Sequence, residues 1–564
     1  MENKEYMLID GNPVEINGEK NLLEVIRKAG IELPTFCYHS ELSVYGACRM
    51  CMVENSHGGM EAACSTVPKA GMEIYTNTER LHKHRKMILE LLLANHCRDC
   101  TTCQKNGKCR LQELASLFGL ESIRFKNLKP EPELDTSSLS IVRDAHKCIL
   151  CGDCVRMCNE IQNVGAIDFV NRGSKMVIGP AFNEPIANSP CVGCGQCAAV
   201  CPTGAIVIRK DTGRVWPELN DKNTKVVAQV APAVRVAMAK EFGLPENENS
   251  MGRITAALRR LGFDEVYDTA TGADLTVLEE SNEFLQRIEA GENLPLITSC
   301  CPAWIQYCEK NHPELMKNVS TCKSPMQMFS SVIKAKYSTS SRRVVCVAVM
   351  PCTAKKFECA REEFMHDGVP ETDYVITTQE LIQMIHKAGI VFEELEPEAV
   401  DSVFSTCTGA GVIFGVTGGV TEAVLRRLST DKSNKALMSI AFNDVRGMKG
   451  VKETTIPYGD KEVRIAIVSG LKNAEKIIQA LKNGEHYDFI EVMACPGGCV
   501  AGGGQPFGTN ATKEVRGKAL YSADKMLSIK RSEENPLMIS LYDGVLKGRV
   551  HELLHVHYNH KEEE

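Results

Sequence analysis

The stretches "CILCGDCVRMC" (Cys148–Cys158) and "CVGCGQCAAVCP" (Cys191–Pro202) decide how the first part of this chain folds. Both place cysteines as C-x2-C-x2-C-x3-C, so the segment repeats itself. Three thiolates on one tight loop can take three corners of an iron–sulfur cubane. Scattered buried thiols, which behave as small apolar side chains, would not produce this spacing.

The repeat resembles the two-cluster bacterial ferredoxin, in which the fourth cysteine of each run binds the other cluster. The resemblance implies one [4Fe–4S] cluster on Cys148, Cys151, Cys154 and Cys201, and a second on Cys191, Cys194, Cys197 and Cys158. Asn159 follows the first run where proline is usual, and Pro202 follows the second. Working outward toward the N-terminus, residues 5–80 alternate like strands ("YMLIDGNPVEI") and continue as a helix ("NLLEVIRKAGI"). A loop then carries Cys37, Cys48, Cys51 and Cys64 as C-x10-C-x2-C-x12-C. This resembles a small β-grasp domain with a [2Fe–2S] cluster on four thiolates; the donor set alone also suits zinc. Residues 81–125 read as helical and carry His96, Cys100, Cys103 and Cys109 as H-x3-C-x2-C-x5-C. One imidazole and three thiolates could hold zinc, but between iron–sulfur motifs they more closely resemble a His-ligated [4Fe–4S] site. Neutral imidazole in place of a thiolate makes a cluster less negative and tends to raise its potential. Cys97 is the rival ligand to His96.

The whole chain has 564 residues, 43% of them hydrophobic, 26 cysteines and a formal net charge of −7. The length suits roughly three or four domains. The mild negative charge argues against a nucleic-acid partner. "MENKEYMLID" lacks the features of a signal peptide, and the longest apolar runs are too short to span a membrane. A soluble, cytoplasmic protein is expected. In a reducing compartment so many thiols imply metal rather than disulfides.

Beyond about residue 222 the pattern changes. Apolar runs ("TKVVAQVAP", "RRVVCVAVMP", "VRIAIVSG", "DFIEVMACP") alternate with helical stretches ("SMGRITAALRRLGF", "NAEKIIQALKNG"). This predicts an α/β domain with helices over sheets. "GAGVIFGVTGG" (409–419) is glycine-rich but lacks the dinucleotide fingerprint, so close backbone packing is the expectation. The His-rich tail "HELLHVHYNH" reads as a solvated or packed terminal helix rather than a metal site. The expected domains are 1–80, 81–125, 139–210, a catalytic domain at 222–520, and a helical segment at 521–564 that completes it. The fold class is thus multidomain, α/β and α+β.

Three segments of the α/β region carry cysteine at the ends of apolar runs: "TSCCPAW" (298–304), "MPCTAKKFE" (350–358) and "EVMACPGGCVAGGGQP" (491–506). Strand ends are where such sheets place their sites. Adjacent cysteines do not readily serve one cluster, so either Cys300 or Cys301 has another task. Together these segments resemble the signatures of [FeFe]-hydrogenases, and with the N-terminal motifs the resemblance covers essentially the whole chain. It implies an H-cluster: a [4Fe–4S] cubane joined to a two-iron unit with CO, cyanide and a bridging dithiolate. It places the cubane on Cys301, Cys352, Cys495 and Cys499, with Cys499 bridging to the two-iron unit. Lys355 faces a cyanide. Met350, Met493 and Phe414 form an apolar wall with Pro232 and Ala233 beside them, although each of the three alone also suits ordinary core packing. Cys300 then relays protons, continuing through Glu280, Ser320 and Glu283. Glu280 and Glu283 lie at i, i+3, which by pattern alone would suit a solvated helix face.

The implied reaction is 2 H⁺ + 2 e⁻ ⇌ H₂, near about −410 mV at pH 7, within reach of ferredoxin-type clusters at about −400 mV. The expected complement is one [2Fe–2S], three accessory [4Fe–4S] and the H-cluster. No flavin or nicotinamide motif is evident. The resemblance is to catalytic subunits of NAD(P)-linked, electron-bifurcating complexes, so flavin- and NAD(P)-binding partner subunits are expected, with ferredoxin and maturation proteins as further partners. A monomer exchanging electrons directly with ferredoxin is the alternative, and a cluster carrier without catalysis is a further one. Ala303, Ala354, Ala233 and Met326 stand where better-known ferredoxin-linked members carry glycine, serine, serine and glutamine.

Overall fold

The computed structural model describes residues 5–127, 133–429, 445–458 and 461–558. The N-terminal unit is a five-stranded mixed sheet in the order 12–16, 5–9, 73–75, 52–55, 60–62. In Glu5–Ile9 only Met7 and Ile9 turn inward, as the alternation requires. They pack on the helix Leu22–Lys28 through Leu22, Leu23, Val25 and Ile26. The Asn21 side chain caps that helix by accepting the Glu24 N–H. Beside this unit the helix Glu79–Ala94, capped by Thr78, stops just before His96, and Arg110–Leu117 follows Cys109. The expected start at 81 thus falls inside the first turn of the helix.

The sequence repeat is also a structural repeat. Strand Ile141–Arg143 pairs antiparallel with Ile206–Ile208, and Asp168–Val170 pairs with Val177–Gly179. A short helix carries the third cysteine of each half, Asp153–Arg156 and Gln196–Val200, each entered through a left-handed glycine, Gly152 and Gly195.

The α/β region holds two four-stranded sheets. One runs 265–268, 224–230, 343–350, 374–377, all parallel. The other runs 296–297, 489–493, 461–469 in parallel, with 451–458 antiparallel at its edge. Central strands of a covered parallel sheet are buried on both faces, which is why they read as unbroken apolar runs; Val345–Met350 is wholly buried. The helices Met251–Leu261 and Leu471–Lys482 fall where the sequence pattern places them. In the 409–419 segment a side chain on Gly411 would run into the Ala270 carbonyl, and one on Gly419 into the Ile413 carbonyl. The glycines here serve close packing.

One boundary needs correction. The helix Asn510–Met526 runs through 520/521, so the expected division there cuts a helix. The chain then folds back through Pro536–Asp543 and Val550–Leu554. Of the His-rich tail, 551–558 is described: a short helix followed by a packed segment, with residues 559 and 560 outside the described residues. No helix among the described residues is long and apolar enough to cross a membrane.

Candidate functional site

Four strands end at one cavity. Val230 leads into Ala231, Pro232 and Ala233; Met350 leads into Pro351 and Cys352. Ile297 leads through Thr298 and Ser299 into Cys300 and Cys301, and Met493 into Ala494 and Cys495. The first two strands belong to one sheet and the last two to the other. Residues from all four ends line a space of about 790 Å³ not filled by atoms, together with Cys499, Lys355, Met326 and Phe414. Every cavity residue expected from the sequence, including Met350, Met493, Pro232 and Ala233, is on its wall. Ala303 and Ala354 are buried nearby, and the positions at 233 and 326 present no hydroxyl or amide to the cavity.

The loop that brings Cys495 and Cys499 to the same wall turns on Gly498. Its φ is +90°, and a Cβ there would lie 2.5 Å from the Thr417 nitrogen. Any side chain would be strained and crowded together. Cys301 Sγ accepts the Ala494 N–H at 3.4 Å. Cys495 Sγ accepts from the Gln196 side chain at 3.1 Å, and the same amide donates to the Ala501 carbonyl at 3.0 Å. Lys355 donates to Glu358 at 2.8 Å and to the Cys300 carbonyl at 3.3 Å. Burial works against the Lys355 charge, but Glu358 outweighs it and raises the pKa. Four thiols lining one otherwise apolar space, Cys495 buried and Cys301, Cys352 and Cys499 half-buried, fit an iron–sulfur cubane, whose cationic core offsets the thiolate charge.

From Cys300 a line of polar groups leads outward along the helix Ala270–Ala290. Cys300 packs against Ala273, Val277, Phe414 and Met493. Glu280 is fully buried; its oxygens make no close hydrogen bond, though the Ser299 backbone and the Ser320 side chain lie near enough to favour its charge slightly. Burial, and then the Glu283 carboxylate, push its pKa up to about 8. Ser320 donates to Glu283 Oε2 at 2.7 Å, and Arg287 holds Glu283 at 2.5 Å. Arg287 and Glu358 were not singled out from the sequence. The available signals were their spacings, i, i+4 to Glu283 and i, i+3 to Lys355.

The other cysteines are grouped as the spacing suggests. Cys148, Cys151, Cys154 and Cys201 line one pocket of about 390 Å³. Cys197 lies close enough to Cys191 and Cys158 for their charges to raise its pKa, which burial raises first. Cys37 faces Cys48, whose N–H it accepts at 3.4 Å, and Cys51 faces Cys64. Cys100, Cys103 and Cys109 share one charge environment. His96 is nearly buried; its Nδ1 accepts the Arg98 N–H at 3.3 Å and lies 4.0 Å from Cys97 Sγ. The groups also touch one another. Cys151 packs with Cys37, Cys48 and Cys109, a Cβ on Gly204 would meet Cys103 Sγ at 2.7 Å, and one on Gly503 would meet the Cys194 carbonyl at 2.5 Å.

Residues 224–503 match the family described as the iron-only hydrogenase large subunit, C-terminal domain, and 510–561 match the iron hydrogenase small subunit. Residues 6–79 match a 2Fe–2S cluster-binding domain, 85–124 the NADH-ubiquinone oxidoreductase-G iron–sulfur binding region, and 147–209 a 4Fe–4S dicluster domain. The chain belongs to the [FeFe]-hydrogenase family. It is 40% identical to the NADP-reducing hydrogenase subunit HndD of Solidesulfovibrio fructosivorans over 98% of both chains. It is 35% identical to iron hydrogenase 1 of Clostridium pasteurianum over 98% of this chain and 99% of that one. A solved variant of [FeFe]-hydrogenase HydA1 from Chlamydomonas reinhardtii superposes with a TM-score of 0.54 at 37% identity, covering 62% of this chain and 98% of that one. The protein is a hydrogenase that interconverts H₂ with protons and electrons. It uses an H-cluster fed by [2Fe–2S] and [4Fe–4S] clusters.

Proposed function

We propose that this chain is the hydrogen-activating subunit of an NAD(P)-linked complex, with electrons entering and leaving through its N-terminal cluster domains. The observation that carries the reading is the end-to-end similarity, accessory domains included, to a relative named as a subunit of an NADP-reducing hydrogenase. The chain presents no nucleotide fingerprint, so the NAD(P) and flavin chemistry belongs to partner subunits. Electron splitting from H₂ between NAD(P)⁺ and a lower-potential ferredoxin would take place on that flavin.

Within the chain, Cys301, Cys352, Cys495 and Cys499 would hold the cubane, and Cys499 would also serve the two-iron unit. When bound, the H-cluster would supply the iron chemistry that makes or breaks the H–H bond. The protein excludes water from it with Met350, Met493, Phe414, Pro232 and Ala233, and offers the Lys355 ammonium to an anionic ligand. Cys300 moves the proton between the cavity and Glu280. Glu280, titrating near neutral pH, suits a relay better than an ordinary carboxylate. Ser320 and Glu283 carry the proton to the surface.

On the electron side, one cubane on Cys191, Cys194, Cys197 and Cys158 adjoins the cavity through Gln196. The other, on Cys148, Cys151, Cys154 and Cys201, adjoins both the four-cysteine site (Cys37, Cys48, Cys51, Cys64) and the His96, Cys100, Cys103, Cys109 site. The route therefore has two entries that converge.

The test is untagged purification from the native host. A flavin-containing partner and NAD(P)H-dependent hydrogen evolution confined to the complex are expected. A lone chain with full ferredoxin-driven activity would overturn the assignment in favour of a monomeric, ferredoxin-linked enzyme.

A further inference from the structure

At the outer end of the polar line, Glu283 meets two groups that take no part in the proton path. A Glu283 carboxylate oxygen, Cys322 Sγ and a His555 ring nitrogen all lie within 4.8 Å of one another. They come from three separate segments: the 270–290 helix, the chain just before the helix Pro325–Lys336, and the tail after Val550–Leu554. The last two are fixed by backbone. Cys322 and His555 face each other across an antiparallel bridge. Lys323 N donates to the Leu554 carbonyl at 2.8 Å, and Val556 N to the Thr321 carbonyl at 2.7 Å. Cys322 is wholly buried.

We propose that Glu283, Cys322 and His555 form a site for a zinc-like divalent cation, and that the bound ion closes the proton exit. The donor set of thiolate, imidazole and carboxylate is what such an ion selects. Bonds of about 2.0–2.3 Å place tetrahedral donors roughly 3.3–3.8 Å apart, so the widest edge must contract by about 1–1.5 Å. The histidine is already oriented for it. Its Nε2 lies 3.1 Å from Glu279 Oε2, and Glu279 is held in turn by the Tyr542 hydroxyl. The ion would take Nδ1 in place of that atom's present contact, Thr321 Oγ1 at 2.9 Å. A carboxylate on the far nitrogen of a ligating histidine is the usual supporting arrangement.

The thiol lies 3.8 Å from Glu283 Oε2, the oxygen that also accepts from Ser320. Arg287 holds Oε1. An ion on Oε2 therefore competes with Ser320 for the same lone pairs. Binding replaces the thiol proton of Cys322 with the metal and releases that proton to solvent; no electron moves. Water completes the coordination.

The closure rests on the proton path proposed above, whereas the binding does not, so the test reads the two separately. The holoenzyme is titrated with Zn²⁺ alone. Zinc-edge X-ray absorption should show one sulfur among nitrogen and oxygen neighbours. Hydrogen evolution should fall at least about tenfold near one equivalent, with CO and cyanide infrared bands unchanged, and should recover with chelator. Cys322→Ala and His555→Gln should keep metal-free turnover, bind zinc at least about tenfold more weakly, and resist inhibition. Equal zinc affinity in Cys322→Ala, or a zinc shell without sulfur, would overturn the site. Zinc bound through one sulfur with turnover untouched would overturn the closure and remove Glu283 from the proton path.

Discussion

The accessory half and the catalytic cavity both gather cysteines, but by different means. In residues 148–201 the ligands of each cluster come mostly from one loop, two residues apart, so local spacing fixes the geometry. In the cavity Cys301, Cys352, Cys495 and Cys499 arrive from the ends of strands in two different sheets. No short spacing relates Cys301 to Cys352; only the fold does. Local spacing thus places most accessory ligands, with Cys158 and Cys201 exchanged between the two cubanes, whereas the cavity depends on each strand end and on groups beyond the ligands. One such group is Gln196, which reaches from the accessory domain to Cys495.

The largest effect should come from the cavity residue that is not a ligand. Cys300→Ala is expected to lower turnover by about 10²–10⁴-fold while leaving iron content and the CO and cyanide infrared bands intact. Cys301→Ala should lose those bands. Near-normal hydrogen evolution by Cys300→Ala would erase the distinction between the two neighbours.

Next comes Glu280→Gln, which should cost roughly 10²-fold or more in turnover with all clusters assembled. The same variant carries a stability signature. Burial raises the Glu280 pKa from 4.5 to about 8. Below pH 4.5 the group is protonated in both folded and unfolded chains and costs nothing. Between there and about pH 8 the unfolded chain has lost a proton that the folded chain keeps, so stability falls as pH rises, by at most ~1.4 kcal/mol per pH unit. Glutamine removes that fall. The variant's melting temperature should gain on the parent from pH 5 to 8 and keep a constant lead above; parallel curves across that range would contradict the buried, protonated acid.

A smaller effect is expected at the junction of the two regions. Gln196→Leu removes the hydrogen bond to Cys495 but no ligand. Activity should drop about tenfold, and an electrochemical titration should show the H-cluster cubane shifted to lower potential, since an amide donor stabilises the extra electron. An unchanged potential would mean that the accessory domain merely abuts the cavity.

Much of this was legible in the sequence for the same physical reason that separates the regions. The ferredoxin repeat is legible because its chemistry is local, and the α/β domain because buried parallel strands are continuous apolar runs. The three cavity segments could be ranked as sites only through strand ends and family resemblance. Glu280 and Glu283 show the limit: their i, i+3 spacing suits a solvated face equally well, and nothing local says that Glu280 is sealed in. Cys322 and His555 lie over 200 residues apart and meet only because the tail folds back. The 520/521 boundary was misplaced because the helix 510–526 has no breaker there; Gly517 sits inside it without ending it.

The smallest effect should fall on Cys97. It stands next to His96 and was its rival as ligand. The two differ in setting: Cys97 is half-buried, with burial as the first cause of its raised pKa, whereas His96 is nearly enclosed at the end of the 79–94 helix. A cluster corner takes one protein ligand, so it cannot be shared between them. If His96 holds it, Cys97→Ser changes a thiol to a hydroxyl of similar size near Asp99, Asp144 and Lys147, and iron content, reduced-cluster EPR and turnover should stay within error of the parent. His96→Cys, by contrast, should keep the cluster while lowering its potential, because a thiolate adds negative charge where imidazole added none. Loss of one [4Fe–4S] signal in Cys97→Ser would reverse the assignment. It would also make this site resemble the other accessory clusters, all thiolate, and remove the step in potential that sets this entry apart.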